Sequence, residues 1–123
     1  MEEPIRFIWH NNQRVLLIDI SNCLPDQVSQ ICRLVPTHVS AEPHGSVLLL
    51  ADFTGAKFDK NAVANLKEAT VYVRPHLKRS AWVGVETLPK VFYDNIKSFS
   101  QRDLPKFQSR REALEWLTES SAM

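Results

Sequence analysis

Apolar residues along this chain follow two different periods, and the changes between them mark out its elements. Ile5 to His10 and Arg14 to Ile20 are β-rich runs separated by Asn11-Asn12-Gln13, polar residues that suit a turn, so they predict an antiparallel hairpin. From about Pro25 the period lengthens. Val28, Ile31, Cys32 and Val35 recur at i, i+3, i+4 and i+7, which predicts a helix with Asp26 favourable in its first turn and Pro36 breaking or kinking its end. Glu42-Pro43-His44-Gly45 predicts a turn, after which Val47 to Asp52 reads as a buried strand feeding a short loop and a helix start.

Asp59 suits an N-cap, and Val63, Leu66, Thr70 and Val73 predict the inward stripe of a second helix that Pro75 ends. Ser80 to Val85 predicts an interior strand. Thr87 then caps a third predicted helix with Leu88, Val91, Phe92, Ile96 and Phe99 on one face, and Leu104 to Gln108 predicts a short last strand. Ser109-Arg110-Arg111-Glu112 fits a capping box ahead of Ala113, Leu114, Trp116 and Leu117, so a final helix is expected, with the last few residues fraying. The order β-β-α-β-α-β-α-β-α predicts one α/β domain over residues 1–123 with a core of about 4–118. Its sheet is mixed and mostly parallel, with about five strands flanked by about four helices.

Composition narrows the class without naming a reaction. At 123 residues and 44% hydrophobic, the chain suits one compact domain with a real core. No apolar run approaches the roughly 20 residues of a membrane-spanning helix, and Met1-Glu2-Glu3-Pro4 is acidic where a signal peptide is basic, so a cytoplasmic protein is expected. Cys32 reads as core and Cys23 as a loop thiol; their spacing suits neither zinc nor a disulfide framework. Net charge is +1, but residues 1–56 carry three basic and six acidic groups, whereas residues 57–123 carry twelve and eight. That split suits an anionic partner yet lacks the dense basic stripe of a nucleic-acid binder, so nucleic acid is not expected.

Two segments carry candidate binding chemistry. Asp52, Thr54, Gly55, Lys57, Asp59 and Lys60 lie where an open α/β sheet usually binds ligands, and free amides at the helix start with the two lysines suit an anion. The same residues suit a plain tight turn: Asp52 and Thr54 bonding local amides, Gly55 supplying a positive φ, Asp59 capping. Arg74, His76, Lys78 and Arg79 suit a basic rim for an acidic partner or a lipid head group, or simply a solvated connection. The histidines show no metal-ligand spacing, and the chain has no Walker loop, Gly-x-Gly-x-x-Gly run or Gly-x-Ser-x-Gly elbow; no metal, no cofactor and no enzyme activity are expected. Trp82 and Trp116 read as core. Trp9, in line with Ile5 and Phe7, makes one face of the opening strand strongly apolar and aromatic. Packing on helices is expected for it, or a homodimer if that strand lies at a sheet edge.

Taken in order, Leu50-Ala51-Asp52-Phe53-Thr54-Gly55-Ala56-Lys57-Phe58-Asp59, then Arg74-Pro75-His76-Leu77-Lys78-Arg79-Ser80-Ala81-Trp82-Val83-Gly84-Val85, then Arg111-Glu112-Ala113-Leu114-Glu115-Trp116-Leu117 resemble the SpoIIAA-like group of the STAS (sulfate-transporter and anti-sigma-factor antagonist) fold. The resemblance spans nearly the whole chain. It implies a non-enzymatic module with a helix-flanked mixed sheet that serves as a regulatory, protein-interaction or ligand-sensing surface. Its partner is then another protein or a small anionic ligand. Phe58 and Asp59 match the family's Phe-Asp at the helix start, but Lys60 and Asn61 stand where the anti-sigma antagonists carry serines, one of them phosphorylated. That departure removes the phosphorylation switch from what the resemblance implies.

Overall fold

The structure is a computed structural model and describes residues 3–88 and 105–119. β1 (Ile5–His10) and β2 (Gln13–Asp19) form the expected hairpin. Its loop is only two residues long, because Asn11 and Asn12 both take positive φ, the conformation of a hairpin turn whose twist matches its strands. Gln13 is consequently strand rather than turn.

α1 (Pro25–Val39) starts where its pattern predicts, with the Gln27 side chain accepting from the Leu24 amide at 2.8 Å. Pro36 does not end it. Val35 and Val39 are both buried against the sheet, and Ser40 N–H still donates to the Pro36 carbonyl, so the last turn survives the missing proline amide. β3 (Val47–Asp52) is buried at every position, as the unbroken apolar run Val47–Ala51 requires, and ends on the buried carboxylate of Asp52. α2 (Lys60–Val73) buries Ala62, Leu66, Ala69 and Val73. Val63 and Thr70 sit half-buried at the margin of that stripe.

β4 (Leu77–Val83) begins three residues earlier than its apolar core suggests, directly after a 3₁₀ turn over Arg74–His76. Lys78 and Arg79 are therefore strand residues, not a solvated connection. Gly84 ends β4 in the left-handed region, and Val85–Thr87 forms a second 3₁₀ turn. The predicted third helix lies almost wholly in residues 89–104, outside the described residues, as do the terminal residues expected to fray. β5 is two residues, Lys106–Phe107, and α3 (Arg110–Leu117) closes the described chain with Ser109 Oγ accepting from Glu112 N–H at 3.2 Å.

The sheet runs β1-β2-β3-β4-β5, with β1 antiparallel and the other pairs parallel. Both described crossovers step the same way along the sheet, so right-handedness places α1 and α2 on one face. Leu16, Ile18, Leu49, Ala51 and Trp82 pack beneath them. α3 covers the other face through Ala113 and Leu117 against Val15, Leu17, Leu48, Leu50, Ala81 and Val83. The architecture is thus α/β, with a five-stranded, mostly parallel sheet and three helices among the described residues. No helix among these residues is long and apolar enough to cross a membrane.

Candidate functional site

Parallel pairing brings the carboxyl ends of β2, β3 and β4 to one edge, and there the chain repeats itself. Asp19 and Asp52 are register partners. Each is followed by an apolar residue, then a hydroxyl residue, then a residue of positive φ: Asp19-Ile20-Ser21-Asn22 and Asp52-Phe53-Thr54-Gly55. Thr54 donates to Asp52 Oδ1 from N–H at 2.9 Å and from Oγ1 at 2.7 Å. Ser21 donates twice to Asp19 Oδ1 in the same way. The two loops also interlock, with Asn22 N–H donating to the Thr54 carbonyl at 2.7 Å and Ile20 N–H to the Asp52 carbonyl at 2.9 Å.

Arg110, the first residue of α3, closes this pair from above. Its Nε donates to Asp52 Oδ2 at 2.6 Å and its Nη2 pairs with Asp19 Oδ1 at 3.0 Å. Burial alone would raise the Asp19 carboxyl, but the Ser21 bonds and the Arg110 guanidinium outweigh it and hold Asp19 below the usual carboxylate range. The same two carboxylates, against the opposing effect of burial, raise Arg110. Asp52 is 5% exposed, with both carboxylate oxygens engaged.

The sequence-predicted site residues are thereby placed. Asp52 and Thr54 form a self-contained turn, and Gly55 takes φ +70° against Asn22. Asp59 Oδ1 accepts from Ala62 N–H at 2.8 Å and so occupies the start of α2, as the capping reading expects. Lys57 and Lys60 are exposed beside it. The basic set lies at the opposite end of the sheet, because Leu77 pairs with Val47 and Val83 with Asp52. β3 spans about 17 Å. One small ligand does not bridge the two segments.

Within the basic set, His76 is buried rather than on a loop surface. A carbonyl only accepts, so its Nδ1–H donates to the Glu42 carbonyl at 2.9 Å, and its ring meets His44 edge-on at 5.1 Å. Arg79 turns onto α3, donating to the Trp116 carbonyl at 2.8 Å with its guanidinium 5.1 Å from that ring, a cation placed at a helix C-terminus. Lys78 is exposed and Arg74 half-buried. Arg110 and Asp19 are the residues sequence reasoning missed; the doubled Asp-x-Ser/Thr pattern was the signal for Asp19, whereas nothing local marks Arg110.

Two further features lie away from this edge. An apolar cavity of about 50 Å³ sits between α1, α2 and the sheet, lined among others by Cys32, Leu66, Ala69 and Trp82, and by Ser80, whose buried hydroxyl has no hydrogen-bond partner among the described residues. Trp9, expected to pack on helices, is instead 71% exposed on the edge strand β1. Fold and site together define a single-sheet α/β protein whose strand-end carboxylates are tied to a C-terminal helix. Compared with protein-family models, curated proteins and solved structures, the chain matches none.

Proposed function

We propose that this chain is a regulatory or protein-interaction module of the STAS-like kind, acting by binding rather than by chemistry. The observation that carries it is the β1 edge: among the described residues β1 is the outermost strand, six residues long with no register shift against β2, and it presents Trp9 to solvent. Edge strands that are not used for pairing are normally blunted by lysines, prolines or bulges, and an exposed tryptophan is the residue type most enriched in binding hot spots. The Asp19–Arg110–Asp52 cluster supports the same reading, since its groups are spent on holding α3 in place.

Affinity capture tests it with the wild-type chain and with Trp9→Lys, each first shown to melt at the same temperature. Proteins retained by wild type and lost from the variant are expected. Identical retained sets would refute the reading.

A second reading, a small-molecule sensor, rests on the cavity and its unpartnered Ser80 hydroxyl. Native mass spectrometry of freshly purified protein would then show a bound small molecule that Ser80→Leu, which fills the cavity, eliminates.

A further inference from the structure

We infer that the cavity between α1, α2 and the sheet binds a short-chain primary alcohol whose oxygen pairs with Ser80; this rests on the small-molecule reading above and deepens it. Strand register puts the serine there. Val47 pairs with Leu77 but Leu48 with Arg79, so Lys78 is an extra residue in β4. Beyond it Ser80 sits beside Leu49 and shares the face of Trp82, toward α1 and α2, while Arg79 turns to the other face and reaches α3. Leu77 and Ser80, three positions apart, therefore both line the cavity.

Two costs coincide at this point. Protein interiors hold few voids, and a buried hydroxyl without a partner forfeits the hydrogen bonds it made to water. The void exists because facing positions carry small side chains: Ala51 and Ser80 in the sheet, Ala69 on α2 and Cys32 on α1. Ser80 is 4% exposed and its Oγ has no partner, whereas Thr70, the other hydroxyl in the described lining, donates to the Lys67 carbonyl at 2.7 Å. An occupant with an apolar body and one hydrogen-bonding oxygen removes both costs together.

The lining selects among occupants. Buried water takes roughly two to four polar partners, and the described lining offers one hydroxyl without a partner, so water alone is poorly held. Charge is equally unsuited to the interior. Burial pushes the Cys32 thiol up to about 12, so it stays neutral, and the one charged residue in the described lining, Arg74, is half-buried at the rim, one turn after Thr70. A volume of about 50 Å³ is about a third of the ~150 Å³ that accommodates benzene, which limits the enclosed part of a ligand to roughly two to four heavy atoms. A hydroxyl both donates and accepts, so an alcohol completes Ser80 in either role, which a carbonyl or ether oxygen does not. Thr70 and Arg74 are the described lining residues that are not fully buried, and a longer chain leaves between them.

Titration of the isotope-labelled full chain with ethanol, 1-propanol and 1-butanol, followed by amide shifts, is the test. Saturating shifts are expected at Ala69, Ser80 and Trp82, with Kd tightening about fourfold for each added methylene. Binding of 1-butanol is expected to weaken about fivefold in Ser80→Ala, which removes the hydroxyl and keeps the space, and to vanish in Ala69→Leu, which fills the space from α2. Displacement of xenon from the wild-type chain by 1-butanol reads occupancy of the same cavity without any variant. Shifts that do not saturate by about 100 mM 1-butanol overturn the site. Equal affinity in wild type and Ser80→Ala overturns the alcohol and leaves an apolar void only; propionate binding more tightly than 1-propanol, with the advantage lost in Arg74→Gln, overturns the neutral ligand class. If native mass spectrometry shows a bound mass that Ser80→Leu eliminates while no alcohol saturates, the alcohol inference fails and the small-molecule reading stands. With neither a bound mass nor saturation, both fail.

Discussion

Gly84 and Gly55 show how tightly the strand-end loops are fitted, and the three glycines of this chain grade that fit. All three have φ near +70°, a region costly for any residue with a Cβ. A Cβ on Gly84 would lie 2.4 Å from the Thr54 backbone nitrogen, which cannot move without breaking the turn on Asp52. On Gly55 the nearest atom is Asn22 Oδ1 at 2.3 Å, the end of a side chain that can swing away, and on Gly45 nothing lies within 4 Å. Alanine substitutions should therefore cost stability in the order Gly84, Gly55, Gly45, from about 3 kcal/mol for the first to about 1 kcal/mol for the last. Urea denaturation of the three variants checks the order. A Gly45 variant as unstable as Gly84→Ala would show that close approach is not what sets the cost.

α3 is only eight residues long, too short to persist without tertiary contacts. It is held at both ends: Arg110 bridges Asp19 and Asp52 at its start, and Arg79 reaches the Trp116 carbonyl at its finish. Between them Ala113 and Leu117 fill the face of the sheet that α1 and α2 leave open. Arg110→Ala leaves the buried Asp52 carboxylate with its charge uncompensated, and a loss of about 2–3 kcal/mol is expected. Arg110→Lys should recover only part of it, because a single ammonium does not reproduce the forked geometry that spans two carboxylates. Hydrogen exchange across α3 checks both variants. Amides of residues 113–117 should lose protection before those of α1 do, and simultaneous loss would show that α3 is not separately anchored.

The docked helix also ties the whole molecule's stability to acid. Asp19 is held below its ordinary value in the folded chain, so the unfolded chain takes up its proton first as pH falls. Stability from this group is fully present above the unfolded carboxylate value, near pH 4, and is lost as pH drops through the lower folded value. The urea midpoint should be level from about pH 7 to about pH 5 and fall below about pH 4. Asp19→Asn should start lower at neutral pH and show a shallower acid limb. An unaltered limb in that variant would assign the acid sensitivity to other carboxylates.

Much of this was legible in the residue pattern, for physical reasons that differ by element. Val47–Asp52 could be read to the residue because a strand covered on both faces is apolar along its length, here Val47–Ala51, with a polar residue at its end, and the Asp59 and Ser109 caps because a short side-chain oxygen beside free helix amides is a local chemical relation. The end of α1 at Val39 and the start of β4 at Leu77 were not legible, since burial of Val39 and pairing of Leu77 with Val47 outweigh what Pro36 and Lys78-Arg79 favour locally. Local chemistry thus determined that β1, β2, β3, α1, α2 and α3 form where they do to within a few residues, and supplied the Asp52 turn with its own partner in Thr54. Only the tertiary structure decided that Asp52 is bound to a residue 58 positions away, that the Asp52 loop and the Arg74–Arg79 segment stand at opposite ends of the sheet, and that Trp9 faces solvent. Each of these depends on which strands are neighbours and which strand is left at the edge, and periodicity along a chain carries no record of either.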